Sequence, residues 1–191
     1  MKRLLFILVL FSLQLSLFVV PAFSAGQALV PRTGQTTSFV SGDDGDLQMG
    51  VAWPNPRFID NANGTVTDNL TGLIWLKNAN CFGYTIWTDA VAFASALASG
   101  PASVNCGLSD GSKAGEWRLP NRKELKSLVN RQQPNLSAWL NGSGFFTVQP
   151  DYYWSSSTLG YRTDSAWNVR MYDGDLSGKD KGGSYYAWPV R

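Results

Sequence analysis

The sequence predicts an α+β domain in which early helices pack against a late antiparallel sheet. Three observations carry that reading. Apolar residues recur at helical spacing from Trp87 to Ala98 and again after Asn121. Aromatic, strand-like segments fill the last quarter and are separated by glycine and aspartate turns. The chain is rich in Trp (8) and Gly (19) but only 16% charged, which fits a loop-rich exported domain pinned by aromatic side chains.

Residues 1–24 read as an export signal. Lys2 and Arg3 precede an apolar run from Leu4 to Val20, and Ala22-Phe23-Ser24 supplies a small-residue cleavage site. Ser12, Gln14 and Ser16 interrupt the run, which argues against a spanning helix. No later stretch is apolar enough to span a membrane, so the expected location is periplasmic, cell-surface or extracellular. Losing Lys2 and Arg3 from the 16 basic residues leaves 14, equal to the 14 acidic ones. A mature chain of zero formal charge gives no support to a nucleic-acid partner.

Residues 25–56 are rich in Gly, Thr, Ser, Asp and Pro and read as a polar tether, ordered only where Val51, Ala52 and Trp53 dock. The domain proper is assigned to 57–191, roughly 135 residues and close to the commonest domain size. Its first unit is a hairpin, with Arg57 to Asp60 and Thr65 to Asp68 flanking Asn63-Gly64. Asp60, Asn61, Asn63 and Asp68 raise a calcium reading, but their spacing departs from an EF-hand loop, and turn-forming roles are preferred. No metal or cofactor is assigned. Leu73 to Leu76 is a short strand, and a helix is expected over 88–98, ended by Gly100-Pro101. Cys81 and Cys106 are the only cysteines. In an exported chain they are expected to pair.

The most informative stretch runs from Gly115 to Leu128. Asn121 is placed to cap a helix, and Glu124 falls at the capping-box position. Leu125, Leu128 and Val129 form one apolar face, while Arg122, Lys123 and Lys126 project elsewhere as a basic side. Residues 131–150 read as a long loop with a short helix at 136–140. Tyr152 to Ser157, Ala166 to Tyr172 and Tyr185 to Val190 read as strands.

The segment Trp117-Arg118-Leu119-Pro120-Asn121-Arg122-Lys123-Glu124-Leu125 resembles the signature of the collagen-like-protein C-terminal (Lcl C-terminal) domain family of secreted bacterial proteins. Arg57 to Asn61 with Gly72 to Trp75, Tyr153-Trp154-Ser155-Ser156-Ser157, and Ala187-Trp188-Pro189-Val190-Arg191 fit the same family in the same order. The resemblance implies a C-type-lectin-like fold, with two main helices on an antiparallel sheet, and a binding role such as adhesion to sulfated glycans. The Trp-Arg-Leu-Pro segment also resembles part of the formylglycine-generating enzymes. Those enzymes carry a redox cysteine pair after this segment, whereas here both cysteines precede it.

Catalysis is constrained by composition. With no histidine, no Ser-His or Cys-His nucleophile can be assembled. Glu116 and Glu124 are the only glutamates. A two-carboxylate glycosidase reading is set aside, since capping accounts for Glu124 and Glu116 precedes a core tryptophan. The expectation is a non-enzymatic binding module for anionic or sulfated glycans, with Arg122, Lys123 and Lys126 as cationic contacts. Tyr152, Tyr161 and Tyr186 are candidates for stacking on sugar rings. The alternative is an envelope or appendage subunit whose partner is another protein.

Overall fold

In the computed structural model, which describes residues 30–100 and 106–191, Asn63-Gly64 turns the chain as its composition predicts. It joins β1 (Phe58–Asp60) to β2 (Thr65–Asp68) as an antiparallel hairpin. Gly64 has a φ of 84°, and a Cβ there would lie 2.5 Å from the Gly107 carbonyl oxygen, so conformation and space both require glycine. β2 pairs antiparallel with β3 (Ile74–Leu76), completing a three-stranded sheet in the order β1-β2-β3. The side chains considered for calcium have protein partners. Asp60 accepts from Ala62 and Lys77, Asn61 bonds Thr65 and Thr67, Asn63 accepts from Thr65, and Asp68 grips Arg57.

The second sheet has five strands in the order β4-β8-β5-β6-β7. They are β4 (Tyr84–Thr85), β5 (Tyr152–Leu159), β6 (Arg162–Arg170), β7 (Leu176–Asp180) and β8 (Tyr185–Tyr186). Two expectations need correction here. The sheet is mixed, because β5 and β8 run parallel. In addition, β7 lies between the predicted strands Ala166 to Tyr172 and Tyr185 to Val190, where a glycine and aspartate turn from Asp173 to Gly183 is expected. Its sequence, Leu-Ser-Gly-Lys-Asp, lacks apolar alternation because it is an edge strand paired only with β6. Gly178 belongs there because a Cβ would strike Leu159 at 2.5 Å.

Among the described residues helical structure is divided among four segments, of which only the second reaches ten residues. They are α1 (Asp44–Leu47), α2 (Trp87–Ala96), α3 (Arg122–Ser127) and α4 (Leu136–Asn141). α2 buries Ala90 and Ala94 against Trp154, Ala166 and Ala187 of the larger sheet side. It ends at Ala96, with Leu97 as its C-cap; Pro101 and the expected signal segment 1–24 lie outside the described residues. α3 carries a complete capping box and buries Leu125.

The C-terminal residues stitch the two sheets together. Ile74 and Arg191 exchange backbone hydrogen bonds at 2.9 Å, and Arg118 and Val190 do the same at 3.0 and 2.9 Å. Trp188 donates its indole N–H to the Leu76 carbonyl at 2.6 Å. Trp75, Trp117, Trp154 and Trp188 are fully buried, so half of the tryptophans serve as core. Each full burial of a large side chain stabilises by about 1.5–3 kcal/mol. Cys81 and Cys106 form a disulfide with Cα atoms 5.5 Å apart. Among the described residues no helix is long and apolar enough to cross a membrane.

Candidate functional site

The residues from Val30 to Trp53 are ordered well beyond the expected docking at Val51 to Trp53, and that order builds the site. Arg32 donates its backbone N–H to the Val51 carbonyl at 3.0 Å, and Val51 donates to the Val30 carbonyl at 2.8 Å. Trp53 donates from its indole to the Arg32 carbonyl at 2.9 Å. Arg131 donates its backbone N–H to the Thr33 carbonyl at 2.9 Å, and Gln132 Oε1 accepts from the Thr36 and Thr37 backbones. Gly34, at φ of 89°, passes so close that a Cβ would meet Asn130 at 2.5 Å.

This strap forms one wall of a groove of about 480 Å³ whose opposite wall is α3. Arg32, Arg122, Lys123, Lys126 and Arg131 line it, with Pro31, Val129 and Leu176 as apolar floor. No carboxylate is among the lining residues. A concave surface lined by one sign of charge concentrates its field on a ligand of the other sign.

The cations differ in how they are held. Arg122 and Lys123 are exposed. The Arg122 guanidinium lies 5.2 Å from the Trp167 ring centre, and its backbone N–H donates to Ser157 Oγ at 3.1 Å. Lys126 departs from the expected outward projection. It is half-buried and its ammonium donates to the Gly174 carbonyl. Burial pushes its pKa down and Arg131 adds to the shift, while Asp175 and Asp173 oppose it. Arg131 Nη1 donates to the Asp173 carbonyl at 2.9 Å. Arg32 and Arg131 were not among the sequence candidates. Arg131 follows Lys126 by five residues, but nothing in the polar N-terminal segment marked Arg32 as its companion.

The tyrosines do not join the groove. Tyr152 is half-buried on β5, and its hydroxyl donates to Asp175 at 2.9 Å. The Lys179 ammonium lies 4.1 Å from its ring centre and Arg170 lies 5.5 Å away. Tyr152 pairs with Arg170 on β6, and strand alternation puts Trp167, the neighbour of Arg122, on the other face. Tyr161 is 79% exposed at the β5–β6 turn. Tyr186, expected at the surface, is 8% exposed and stacks on Tyr153 with centroids 5.3 Å apart.

The two glutamates are apart in role. Glu124 is clamped by Arg118, and Glu116 stands 3.7 Å from Arg191, which also pairs with the buried Asp110 at 2.9 Å. Among the described residues there is no cluster of three His, Cys, Asp or Glu that could hold a metal ion.

Two comparisons bear on these features. No curated protein matches the chain. The family model for the Lcl C-terminal domain matches residues 64–191, which include the capped α3, all five strands of the larger sheet and the closing Trp188 to Arg191 segment. Family and disulfide together point to an extracytoplasmic location. With two thirds of its length matched, the chain belongs to the Lcl C-terminal domain family.

Proposed function

We propose that this domain is a non-enzymatic, lectin-like binding module of C-type-lectin-like architecture, displayed in the periplasm or at the cell surface. Its ligand is a sulfated or otherwise anionic glycan, held in the groove between the strap and α3. The observation that carries this reading is the convergence of Arg32, Arg122, Lys123, Lys126 and Arg131 on one concavity without a lining carboxylate. Guanidinium groups bind sulfate and carboxylate in paired hydrogen bonds, and the apolar floor of Pro31, Val129 and Leu176 can meet the C–H faces of sugar rings. Glu116 and Glu124 are both engaged by arginines, which favours binding over carboxylate catalysis.

A glycan array with the mature protein tests the proposal. Retention of sulfated or uronic-acid glycans over their neutral counterparts is expected. Hydrolysis of a retained glycan, abolished in Glu116→Gln, would replace the proposal with an enzymatic one.

A second reading, a subunit that docks on another envelope protein, is favoured by Phe39 and Val40. They are 83% and 68% exposed, yet Asp43 Oδ2 accepts both their N–H groups at 2.7 and 3.3 Å and fixes the tip. Silence on the array, with an envelope partner whose binding is lost in Phe39→Ser, would favour it.

A further inference from the structure

A second recess, of about 570 Å³, lies away from the basic groove. It opens between the Pro54 to Phe58 segment and the Gly142-Ser143-Gly144 loop that follows α4. Its size falls within the roughly 300–1,000 Å³ of small-molecule sites. Phe58 and Trp139 form its aromatic wall and meet edge to face at 5.7 Å. Both rings are half-buried, so each keeps surface free for a ligand.

The polar groups around this wall are mainly acceptors. Asp60 accepts from Lys77 at 2.6 Å and from Ala62 at 3.0 Å, one bond on each oxygen, which leaves further lone pairs. The Lys77 bond, aided by the Ala62 N–H, holds the Asp60 carboxyl below the ordinary aspartate range, so it is ionised at neutral pH. Ser143 spends its proton on the Trp139 carbonyl at 2.8 Å and keeps its oxygen available. Asn55 is exposed, and its amide makes no hydrogen bond among the described residues.

The cations beside them are paired with carboxylates. Lys77 holds Asp60, and Arg57 lines the recess with its Nε and Nη2 bound to Asp68 at 3.0 Å each, Nη2 also donating to the Ser127 carbonyl and Nη1 buried without a hydrogen-bond partner among the described residues. Its guanidinium is covered by Trp53 and Phe58, with ring centres at 4.2 and 4.6 Å. An anion here would face the Asp60 carboxylate and cations already paired. A ring with one apolar C–H face and a rim of hydroxyl donors finds partners, because aromatic surface takes the face and the acceptors take the hydroxyl protons.

We propose that this recess binds neutral hexose residues, as a sugar site separate from the basic groove. It is composite. Asn55, Phe58 and Asp60 lie upstream of the family-matched stretch, and Trp139 and Ser143 lie within it.

Calorimetric titration of the intact domain with maltohexaose, cellohexaose and mannohexaose tests this at about 0.5 M NaCl, where attraction between exposed charges is suppressed. At least one oligosaccharide is expected to bind, with an affinity that is unchanged at low salt. Asn55→Ala with Asp60→Asn should weaken that binding at least about tenfold, and Arg122→Ala with Lys123→Ala should leave it intact. Should the Asp60 change disturb folding, seen as a lowered Tm, Asn55→Ala alone decides, because its amide holds nothing else. Binding to none of the three, binding lost with the groove variant, or wild-type binding by the Asn55 variant would each overturn the proposal.

Discussion

Arg118 and Glu124 form a two-point ion pair across the start of α3, with contacts of 2.7 and 2.8 Å. Glu124 Oε2 also accepts the Asn121 N–H at 2.8 Å, closing the capping box, and Asn121 Oδ1 accepts from Lys123 and Glu124. The Arg118 backbone pairs at the same time with Val190. Helix cap and C-terminal segment are therefore held by one residue. The pair also sorts the basic charges: Arg118 is neutralised locally, whereas Arg122 and Lys123 form no ion pair among the described residues and stay exposed to the groove.

The ion pair has a pH signature. Burial works to raise the Glu124 pKa, but the Arg118 and Asn121 hydrogen bonds outweigh it, and the carboxyl titrates below the ordinary glutamate range. A depressed carboxyl contributes stability that is present above its unfolded value of about 4.3 and is lost as pH falls through the folded value. Glu124→Gln is expected to be less stable than wild type at pH 7, with the gap closing below about pH 4. Thermal melts at both ends of that range check it, and a gap independent of pH would contradict it.

The cap and the core face of α3 should separate in magnitude. Asn121→Ala is expected to cost about 1 kcal/mol, the usual loss of a side-chain cap. Leu125 is fully buried, and Leu125→Ala is expected to cost roughly 2–5 kcal/mol. Denaturant unfolding of both variants measures this, and equal small losses would mean that α3 contributes little packing.

Much of this was legible in the sequence where local chemistry decides structure. Asn63-Gly64 specified a hairpin, Asn121 with Glu124 specified a cap, a short apolar run specified β3, and aromatic segments specified β5 and the later part of β6. β7 was not legible, because Leu176 to Asp180 owes its strand form to β6 and not to its own pattern. The parallel β5–β8 pair joins residues far apart in the chain, and no local signal encodes it. At the site, the α3 cations were legible from helical spacing. Arg32 was not, because its place depends on Trp53, Val51 and Arg131 holding a glycine-containing strap across α3. Lys126 has the right spacing for an outer face, but contact with Gly174 draws it inward.

The disulfide closes a separation of 25 residues and is expected to stabilise the fold by roughly 3–4 kcal/mol on the chain-entropy model. Reduction should lower the Tm, and native protein should resist alkylation. Free thiols in folded, exported protein would contradict the assignment.

The central claim is that α3 and the strap form one anion-binding groove. Lys126 is unsuitable for testing it, because its contact with Gly174 makes its loss a structural change. Arg32 is suited to it only with its Tm as a control, since it also donates to Gln48 and the Gly50 carbonyl. The direct measurement is binding of immobilised heparin by wild type and by Arg122→Ala with Lys123→Ala, across a salt series from about 0.05 to 0.5 M. The Debye length falls from roughly 8 Å at physiological ionic strength to 3 Å at 1 M. Wild-type affinity is predicted to fall steeply as salt rises, and the double variant is predicted to bind weakly even at low salt while keeping its Tm. Binding that ignores salt, or a double variant that binds as well as wild type, would contradict the account.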